Sequence, residues 1–332
     1  MAAAGKKRRL FIFDNIKFIL MVLVVIGHYA DVGVSVSEGF RSLYLFIYSF
    51  HMPLFLYISG LFHKNRNILQ KVITYILLGY LSKLVIYLTR LIFFGNAIFD
   101  FFGDGGLPWF MFVLAMFIGV TYLLRNADKK IVFVVSLALA LIGGYLSFMG
   151  DFLYLSRFLV FYPFYLLGTV TPKIVLINLN KMKAMKLISV AVLVIWFAVC
   201  FTQIDTIYPL RYLFTGRNSF VNFEEFRVWG FFWRIVCYLI TLIVSLAVIC
   251  VVPRRKIPCI TDFGRSTLQV YFWQTTFLLI LRWMGVHNLL IDTPLGRFVW
   301  LVIGLGVTFL LSTKYFSFPT KQVSALCAKI KR

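Results

Sequence analysis

Ten stretches of mostly apolar residues run through this chain, and they constrain its fold more than any other feature. They lie near residues 10–30, 42–62, 69–94, 107–124, 131–148, 155–171, 185–204, 228–251, 266–284 and 295–313. About 20 apolar residues in a helix span the hydrocarbon core of a bilayer. The chain is also 61% hydrophobic and only 14% charged. We therefore predict an all-α, polytopic integral membrane protein with about ten transmembrane helices.

The distribution of charge indicates how the chain is oriented. Its net charge is +22, but the basic residues form short runs between apolar stretches, which argues against a nucleic-acid-binding surface. If the N-terminus is cytoplasmic, most Lys and Arg residues fall inside, as the positive-inside rule requires, and most Asp and Glu residues fall outside. We predict a single domain, residues 1–332, in the cell (plasma or inner) membrane. Its basic N-tail, 1–9, and its C-tail, 314–332, are both expected in the cytoplasm.

The N-terminal apolar stretch is predicted to be an uncleaved span, because it is about 20 residues long and no small-residue cleavage site follows it. The five cysteines show neither a CxxC pair nor regular spacing. This usage predicts neither a disulfide framework nor a zinc site, and we expect no metal.

Two ionisable residues, Lys17 and His28, lie in the first apolar stretch. Eleven residues separate them, which is about three helical turns, so both lie on one helix face roughly 16 Å apart. An ionisable group inside a span is unfavourable unless it is paired or faces a wet cavity, so such residues mark functional sites. The predicted topology puts Lys17 in the inner leaflet and His28 near the outer face.

Each of these two residues has an acidic neighbour about one turn away. Asp31 follows His28 and is suited to orient its imidazole, as in a general base acting on an alcohol; a histidine in the wet interface is the alternative. Asp14 precedes Lys17. Lys17 therefore either forms a local ion pair near the inner interface or binds a phosphate-bearing ligand from the cytoplasm.

The second span contains His51 and, two residues later, Pro53. A proline inside a helix frees a backbone carbonyl that needs a protein or water partner, so this segment should face the bundle interior. His51 is then either a ligand contact or a satisfied interior histidine. Arg157 and Arg234 are each embedded in aromatic sequence, where a guanidinium needs an anion or a π face.

Two further residues, Trp109 and Gln274, each have two interpretations. Trp109 is a ligand contact or an interfacial anchor, and Gln274 lines a cavity or joins helices by hydrogen bonds. Arg90 and Arg282 are interpreted as side chains that reach the membrane interface.

Read together, several segments resemble the acyltransferase 3 family, whose members are described as membrane-bound sugar O-acetyltransferases and as fucose 4-O-acetylase-like. In chain order the segments are Asp14-Asn15-Ile16-Lys17 with His28, YSFHMPLFLYISG (48–60), Trp109-Phe110, RFLVFYPFYLLG (157–168) and GRSTLQVYF (264–272). The FHMPLF segment is the most specific of them. Two positions depart from the family pattern: Gln274 stands where a histidine is common, and an Arg-x-x-Arg pair near the third span is absent.

This resemblance implies an O-acyltransferase that moves an acyl group, usually acetyl, from cytoplasmic acetyl-CoA to a hydroxyl of a sugar in a cell-surface or lipid-linked glycan. We predict direct attack, with His28 as general base, Asp31 or another acid orienting it, and an Arg or His side chain such as His51 stabilising the thioester oxyanion. The donor would contact four residues: Lys17, Asp14, Lys64 and Arg66. The acceptor would contact four others: Trp109, Arg157, Arg234 and Gln274.

Two other classes of protein share these bulk features. A transporter or flippase for a glycan or an anionic substrate would also have about ten spans and buried cations. However, the two halves of the chain show no inverted repeat, and the His28 and His51 pair has no counterpart in the second half. A membrane scaffold would use its interior polar residues for helix association.

Overall fold

The computed structural model describes residues 9–103, 108–147 and 150–330, and every regular element in these ranges is helical. The helices of eight or more residues in the described part are α1 (Phe11–Asp31), α2 (Glu38–Tyr48), α3 (His51–Leu61), α4 (Ile68–Phe94), α5 (Trp109–Leu123), α6 (Lys129–Ile142), α7 (Leu155–Val170), α8 (Lys173–Lys181), α9 (Lys183–Thr202), α10 (Gly230–Val251), α11 (Thr267–Trp283), α12 (Pro294–Leu311) and α13 (Thr320–Cys327). Shorter α-helices cover Ile204–Ile207, Arg211–Phe214, Ile260–Phe263 and Val286–Leu290.

Most of the predicted spans are long apolar helices. Seven segments of the described chain are long and apolar enough to cross a membrane: Phe11–Asp31, Glu38–Leu61, Ile68–Phe94, Phe152–Val170, Lys183–Thr202, Gly230–Val251 and Pro294–Leu311. The other three predicted positions hold the shorter helices α5, α6 and α11, of 15, 14 and 17 residues. The all-α membrane fold is confirmed, whereas the count of ten spans stays a prediction. Of the predicted basic tail, all but Arg9 lies outside the described residues.

The second predicted span is interrupted at Ser49 and Phe50, between α2 and α3. Pro53 explains the break, because its ring clashes with the carbonyl of the residue four positions earlier, which is Ser49. The freed Ser49 carbonyl accepts a hydrogen bond from Thr241 Oγ1 of α10 at 2.6 Å, and Trp196 Nε1 of α9 donates to Ser49 Oγ at 2.9 Å. The prediction of a freed carbonyl with a protein partner is confirmed.

A close crossing of α3 and α7 fixes the position of the second half of this span. A Cβ atom added to Gly60 would lie 2.1 Å from the carbonyl oxygen of Tyr165. One added to Gly168 would lie 2.1 Å from the carbonyl oxygen of Tyr57. The two backbones therefore touch, as small residues at helix interfaces permit. Both glycines belong to segments that carry the family resemblance. The close crossing of the two helices is sufficient to explain why glycine occupies both positions.

The helices that carry the predicted site are enclosed by the others. Most of α1 and of the α2–α3 segment is buried, whereas α9 is exposed along most of its length. The first turns of α1 are tied to the segment between α10 and α11: Asn15 Nδ2 donates to the carbonyls of Pro253 and Arg255, and Thr261 Oγ1 donates to Asn15 Oδ1. His28 and His51 therefore lie on interior helices.

Candidate active site

A cavity of about 420 Å³, which we call the large cavity, lies at the end of the bundle where α1 ends. Its wall is formed by α1, α2, α3, α4, α5, α7 and α11, together with residues 211–218 of the long connection before α10. Five predicted site residues line it: His28, Asp31, His51, Trp109 and Arg157. Residues far apart in the sequence thus converge on one space.

The imidazole of His28 contacts a tyrosine. Its Nδ1 lies 3.2 Å from the hydroxyl oxygen of Tyr48. The Tyr48 ring stands edge-on to both histidines, with ring centroids 6.2 Å from His28 and 4.7 Å from His51, and it stacks on Tyr44 at 3.8 Å. Asp31 lines the same cavity, but within the described chain it forms neither a hydrogen bond nor an ion pair with His28. Tyr48 therefore occupies the orienting position that the sequence suggested for Asp31.

The helix break determines the tautomer of His51. Its Nδ1 lies 2.8 Å from the carbonyl oxygen of Ile47, in the last turn of α2. A carbonyl oxygen only accepts, so Nδ1 of His51 carries the proton and donates it. The neutral ring then presents an unprotonated Nε2, which accepts a hydrogen bond or a proton. His51 is 2% exposed, so this orientation is held by packing as well.

Both interior arginines rest on aromatic faces, as predicted. The Arg157 guanidinium carbon lies 4.3 Å from the centroid of the Trp109 ring, at the cavity wall. That of Arg234 lies 4.9 Å from the centroid of the Phe220 ring, and its Nη1 donates to the carbonyl of Leu213 at 3.0 Å. Arg234 is fully buried and does not line the cavity as described. Its hydrogen bond instead holds the backbone at Leu213, within the connection that forms part of the cavity wall.

Gln274 lies on the same face of α11 as three residues that line the cavity, namely Tyr271, Thr275 and Leu278. Its side chain is buried, and no described residue donates to or accepts from its amide group. Gln274 itself is not part of the cavity wall as described. A buried amide without a partner is unfavourable by about 1–3 kcal/mol. Gln274 is therefore an unsatisfied polar group next to residues of the cavity wall.

At the opposite end of α1, the two residues of the predicted Asp14 and Lys17 pair have separate partners. Asp14 accepts a hydrogen bond from Arg9 Nε at 2.7 Å, whereas no salt bridge joins Asp14 to Lys17. Lys17 Nζ lies 4.7 Å from the centroid of the Phe62 ring, and Lys173 Nζ lies 3.9 Å from the same centroid. Two cations therefore share one aromatic ring at this end of the bundle.

A smaller cavity of about 260 Å³ lies at the same end, between α3, α5, α6 and α7. Its polar lining includes His63, Asn65, Arg125 and Lys129. His63 Nε2 donates to Asn65 Oδ1 at 2.7 Å, and its Nδ1 accepts from the Tyr165 hydroxyl at 2.8 Å. Burial lowers the pKa of His63 from its ordinary value, against the opposing effect of the bond to Asn65. The ring is therefore neutral at pH 7.

Lys64 and Arg66 lie in the connection between α3 and α4, on the end of the bundle that holds Lys17. The Lys64 carbonyl accepts a hydrogen bond from Lys71 Nζ at 2.9 Å. Arg66 lines a separate groove beside Asn65. The four residues predicted to contact the donor therefore share one end of the molecule but not one cavity.

Most residues of the large cavity were not assigned to the site from the sequence, among them Tyr48, Arg90, Arg211 and Arg282. Tyr48 belongs to the FHMPLF-containing segment, so the family resemblance could have indicated that it is part of the site. The interfacial interpretation of Arg90 and Arg282 accounts for their exposure, but not for their location on the cavity wall. Arg211 lies in a connection whose path no local pattern reveals.

Comparison with known proteins gives one match. A family model described as an acyltransferase domain matches residues 11–314, a range that contains every residue of the large cavity. No curated protein and no solved structure matches the chain.

Proposed function

The chain belongs to the acyltransferase 3 family, and from this premise we propose that it transfers a short acyl group to a sugar hydroxyl. The donor is acetyl-CoA and the acceptor is a cell-surface or lipid-linked glycan. The observation that carries this proposal is the pair of interior histidines, His28 and His51, on either side of Tyr48 in one cavity. Histidine is the side chain that most often acts as a general base in enzymes.

In this proposal both termini are cytoplasmic, and donor and acceptor approach from opposite sides of the cell membrane. Lys17 and Lys173 support a donor site at the cytoplasmic end, because their two ammonium groups lie against one ring, that of Phe62, and together attract an anion. A CoA phosphate supplies that anion. The smaller cavity, with Arg125 and Lys129, offers further cations for the nucleotide. The large cavity then receives the acceptor.

The reaction is a direct transfer. The acceptor hydroxyl oxygen bonds to the thioester carbonyl carbon as its proton moves to Nε2 of His28. The C–S bond then breaks, and the CoA thiolate takes up the proton. For this role Nδ1 of His28 must be the protonated nitrogen, and the Tyr48 hydroxyl accepts from it. Tyr48 thus performs the orienting role first suggested for Asp31.

The oxyanion of the tetrahedral intermediate needs a donor or a cation. Because neutral His51 already uses its single N–H on the Ile47 carbonyl, it donates to an oxyanion only when doubly protonated. Arg157 is charged at any working pH and lines the same cavity. We therefore assign the stabilising charge to Arg157, and we assign to His51 Nε2 a hydrogen bond from a second hydroxyl of the sugar.

The experiment measures acyl transfer by the purified full-length chain in phosphatidylcholine nanodiscs, with radiolabelled acetyl-CoA and glycan extracted from membranes. His28→Ala should reduce the rate by about 10²–10⁴-fold, the usual contribution of general base catalysis. His287→Ala is the matched control, since His287 does not line the large cavity. A His28→Ala protein of normal yield and unfolding temperature that transfers acetyl at the wild-type rate refutes this role. Movement of glycan across vesicles without acetylation would support the transporter alternative.

A further inference from the structure

The large cavity has an unusual charge balance. Its wall includes five arginines, Arg90, Arg157, Arg211, Arg217 and Arg282, whereas Asp31 is the single carboxylate on it within the described residues. Like charges that share a cavity with low-dielectric walls repel one another more strongly than they do in water. Such a cavity also attracts anions and raises their local concentration. The wall therefore selects for a ligand that brings negative charge.

Three of the five arginines have identified local partners. Arg217 forms an ion pair with Asp151, and the guanidinium of Arg211 donates to the hydroxyls of Tyr208 and Tyr212 at 2.7 Å. Arg157 stacks on Trp109. These contacts hold the three guanidinium groups in place without a ligand. They leave Arg90 and Arg282 to be explained.

Arg90 and Arg282 differ from the other three. In the part of the chain that the structure describes, neither forms an ion pair, a side-chain hydrogen bond or a cation–π contact. Both are exposed, at the ends of α4 and α11, two helices that pack together. Because these helix ends bring two guanidinium groups to the same cavity wall, an anion between them would relieve their repulsion and accept hydrogen bonds from both.

The position of this pair indicates where the ligand enters. Arg90 and Arg282 also line a second opening of about 570 Å³, together with Phe94, Ile98 and Leu279. The pair thus stands where the large cavity meets this outer groove. Ile98 is 92% exposed and Phe94 is 42% exposed, so the groove has an apolar rim beside its cations. A ligand with a charged group and a less polar remainder matches both surfaces.

We propose that the acceptor of this enzyme carries a phosphate, and that Arg90 and Arg282 bind this anionic group at the mouth of the large cavity. This inference rests on the proposed function, because only a transferase has an acceptor, and it adds the chemical class of that acceptor. The anion lies either on a water-soluble sugar or on the head of an amphiphile. It is distinct from the CoA phosphates, which the proposed function assigns to the Lys17 end of the bundle.

The test measures binding, so it does not depend on acyl transfer. The full-length chain in phosphatidylcholine nanodiscs is titrated calorimetrically with glucose 1-phosphate, with decyl phosphate and with neutral methyl glucoside. At least one phosphate should bind, with an affinity that falls as salt is raised, while methyl glucoside should not bind measurably. The phosphate that binds more tightly identifies the source of the anion.

Substitutions of Arg90 and Arg282 test whether these two residues bind the phosphate. Arg90→Gln and Arg282→Gln should each raise the Kd for that phosphate about tenfold, the lower end of what a hydrogen bond to a charged group contributes. Arg90→Lys should lose less, because it keeps the charge and loses the two-pronged geometry. The control is Arg227→Gln, which removes one exposed positive charge from a residue outside the cavity.

The outcomes separate the inference from the proposed function. If neither phosphate binds, or if both Gln variants bind as the wild type does, the inference is wrong, even if His28-dependent acetylation is observed. If phosphatidylglycerol in the nanodisc displaces the phosphate completely, the pair binds lipid headgroups, and the assignment to an acceptor is overturned. If the phosphate binds through Arg90 and Arg282 but no acetyl transfer occurs, the anion site is retained and the proposed function fails.

Discussion

The contact between Tyr48 and His28 leads to a quantitative prediction about catalysis. Tyr48→Phe removes one hydroxyl and keeps the ring that stacks on Tyr44 and faces both histidines. The lost hydrogen bond has an O···N distance of 3.2 Å, which is long, so its net contribution is about 1 kcal/mol. If this energy orients His28 in the transition state, kcat should fall about fivefold. The KM for acetyl-CoA should not change.

The assay is the nanodisc acetyl transfer described above, with unfolding temperatures measured for each variant. Tyr315→Phe is the control, because it removes a hydroxyl from an exposed ring that does not line the large cavity. Asp31→Asn provides the comparison, since it should lower kcat less than Tyr48→Phe does. If Asp31→Asn has the larger effect on kcat, or if Tyr48→Phe has none, the orienting role belongs elsewhere and the reasoning is refuted.

Three further predictions concern packing, pH and the donor. Gly168→Ala should destabilise the fold by about 1–3 kcal/mol, since its Cβ would meet a backbone oxygen at 2.1 Å; Gly306→Ala, whose Cβ meets nothing within 4 Å, should not, and equal unfolding temperatures would contradict the close crossing. Because folding lowers the pKa of His63, neutral His63 stabilises the fold above its ordinary pKa of about 6.5, and this stability is lost as pH falls through the lower folded value. His63→Gln should therefore reduce the drop in unfolding temperature between pH 7 and pH 5, and an unchanged drop would refute it. Lys17→Ala should raise the KM for acetyl-CoA about tenfold, whereas an unchanged KM would leave Lys17 only its packing on Phe62.

The sequence predicted the helices well, because a membrane span requires an unbroken length of apolar residues that can be counted directly. For example, the stretch predicted at 69–94 is α4, which begins at Ile68. Pro53 also predicted the freed carbonyl, since the clash of a proline ring is local. Neither signal could identify Thr241 as the partner, because that residue lies 192 positions further along the chain.

The candidate site was predictable in part. His28, His51 and Arg157 were identified because ionisable groups are rare in spans, and all three line one cavity. Asp31 was matched to His28 by helical spacing alone, and spacing does not report a tyrosine arriving from another helix. Arg211 lies in the connection before α10, outside every predicted span and every segment that carries the family resemblance, so nothing in the sequence marks it. Its place on the cavity depends on tertiary structure.

The interruption between α2 and α3 also has a consequence for biogenesis. A ribosome completes the second span long before it makes Trp196 and Thr241, which lie 147 and 192 residues beyond Ser49. Within the hydrocarbon core, the Ser49 carbonyl then has no partner from α9 or α10 and must be satisfied by water or by a temporary neighbour. The native geometry around His51 therefore forms only after α10 has been inserted. A nascent chain that stalls before residue 241 contains both histidines but lacks the hydrogen bond that holds the break beside them.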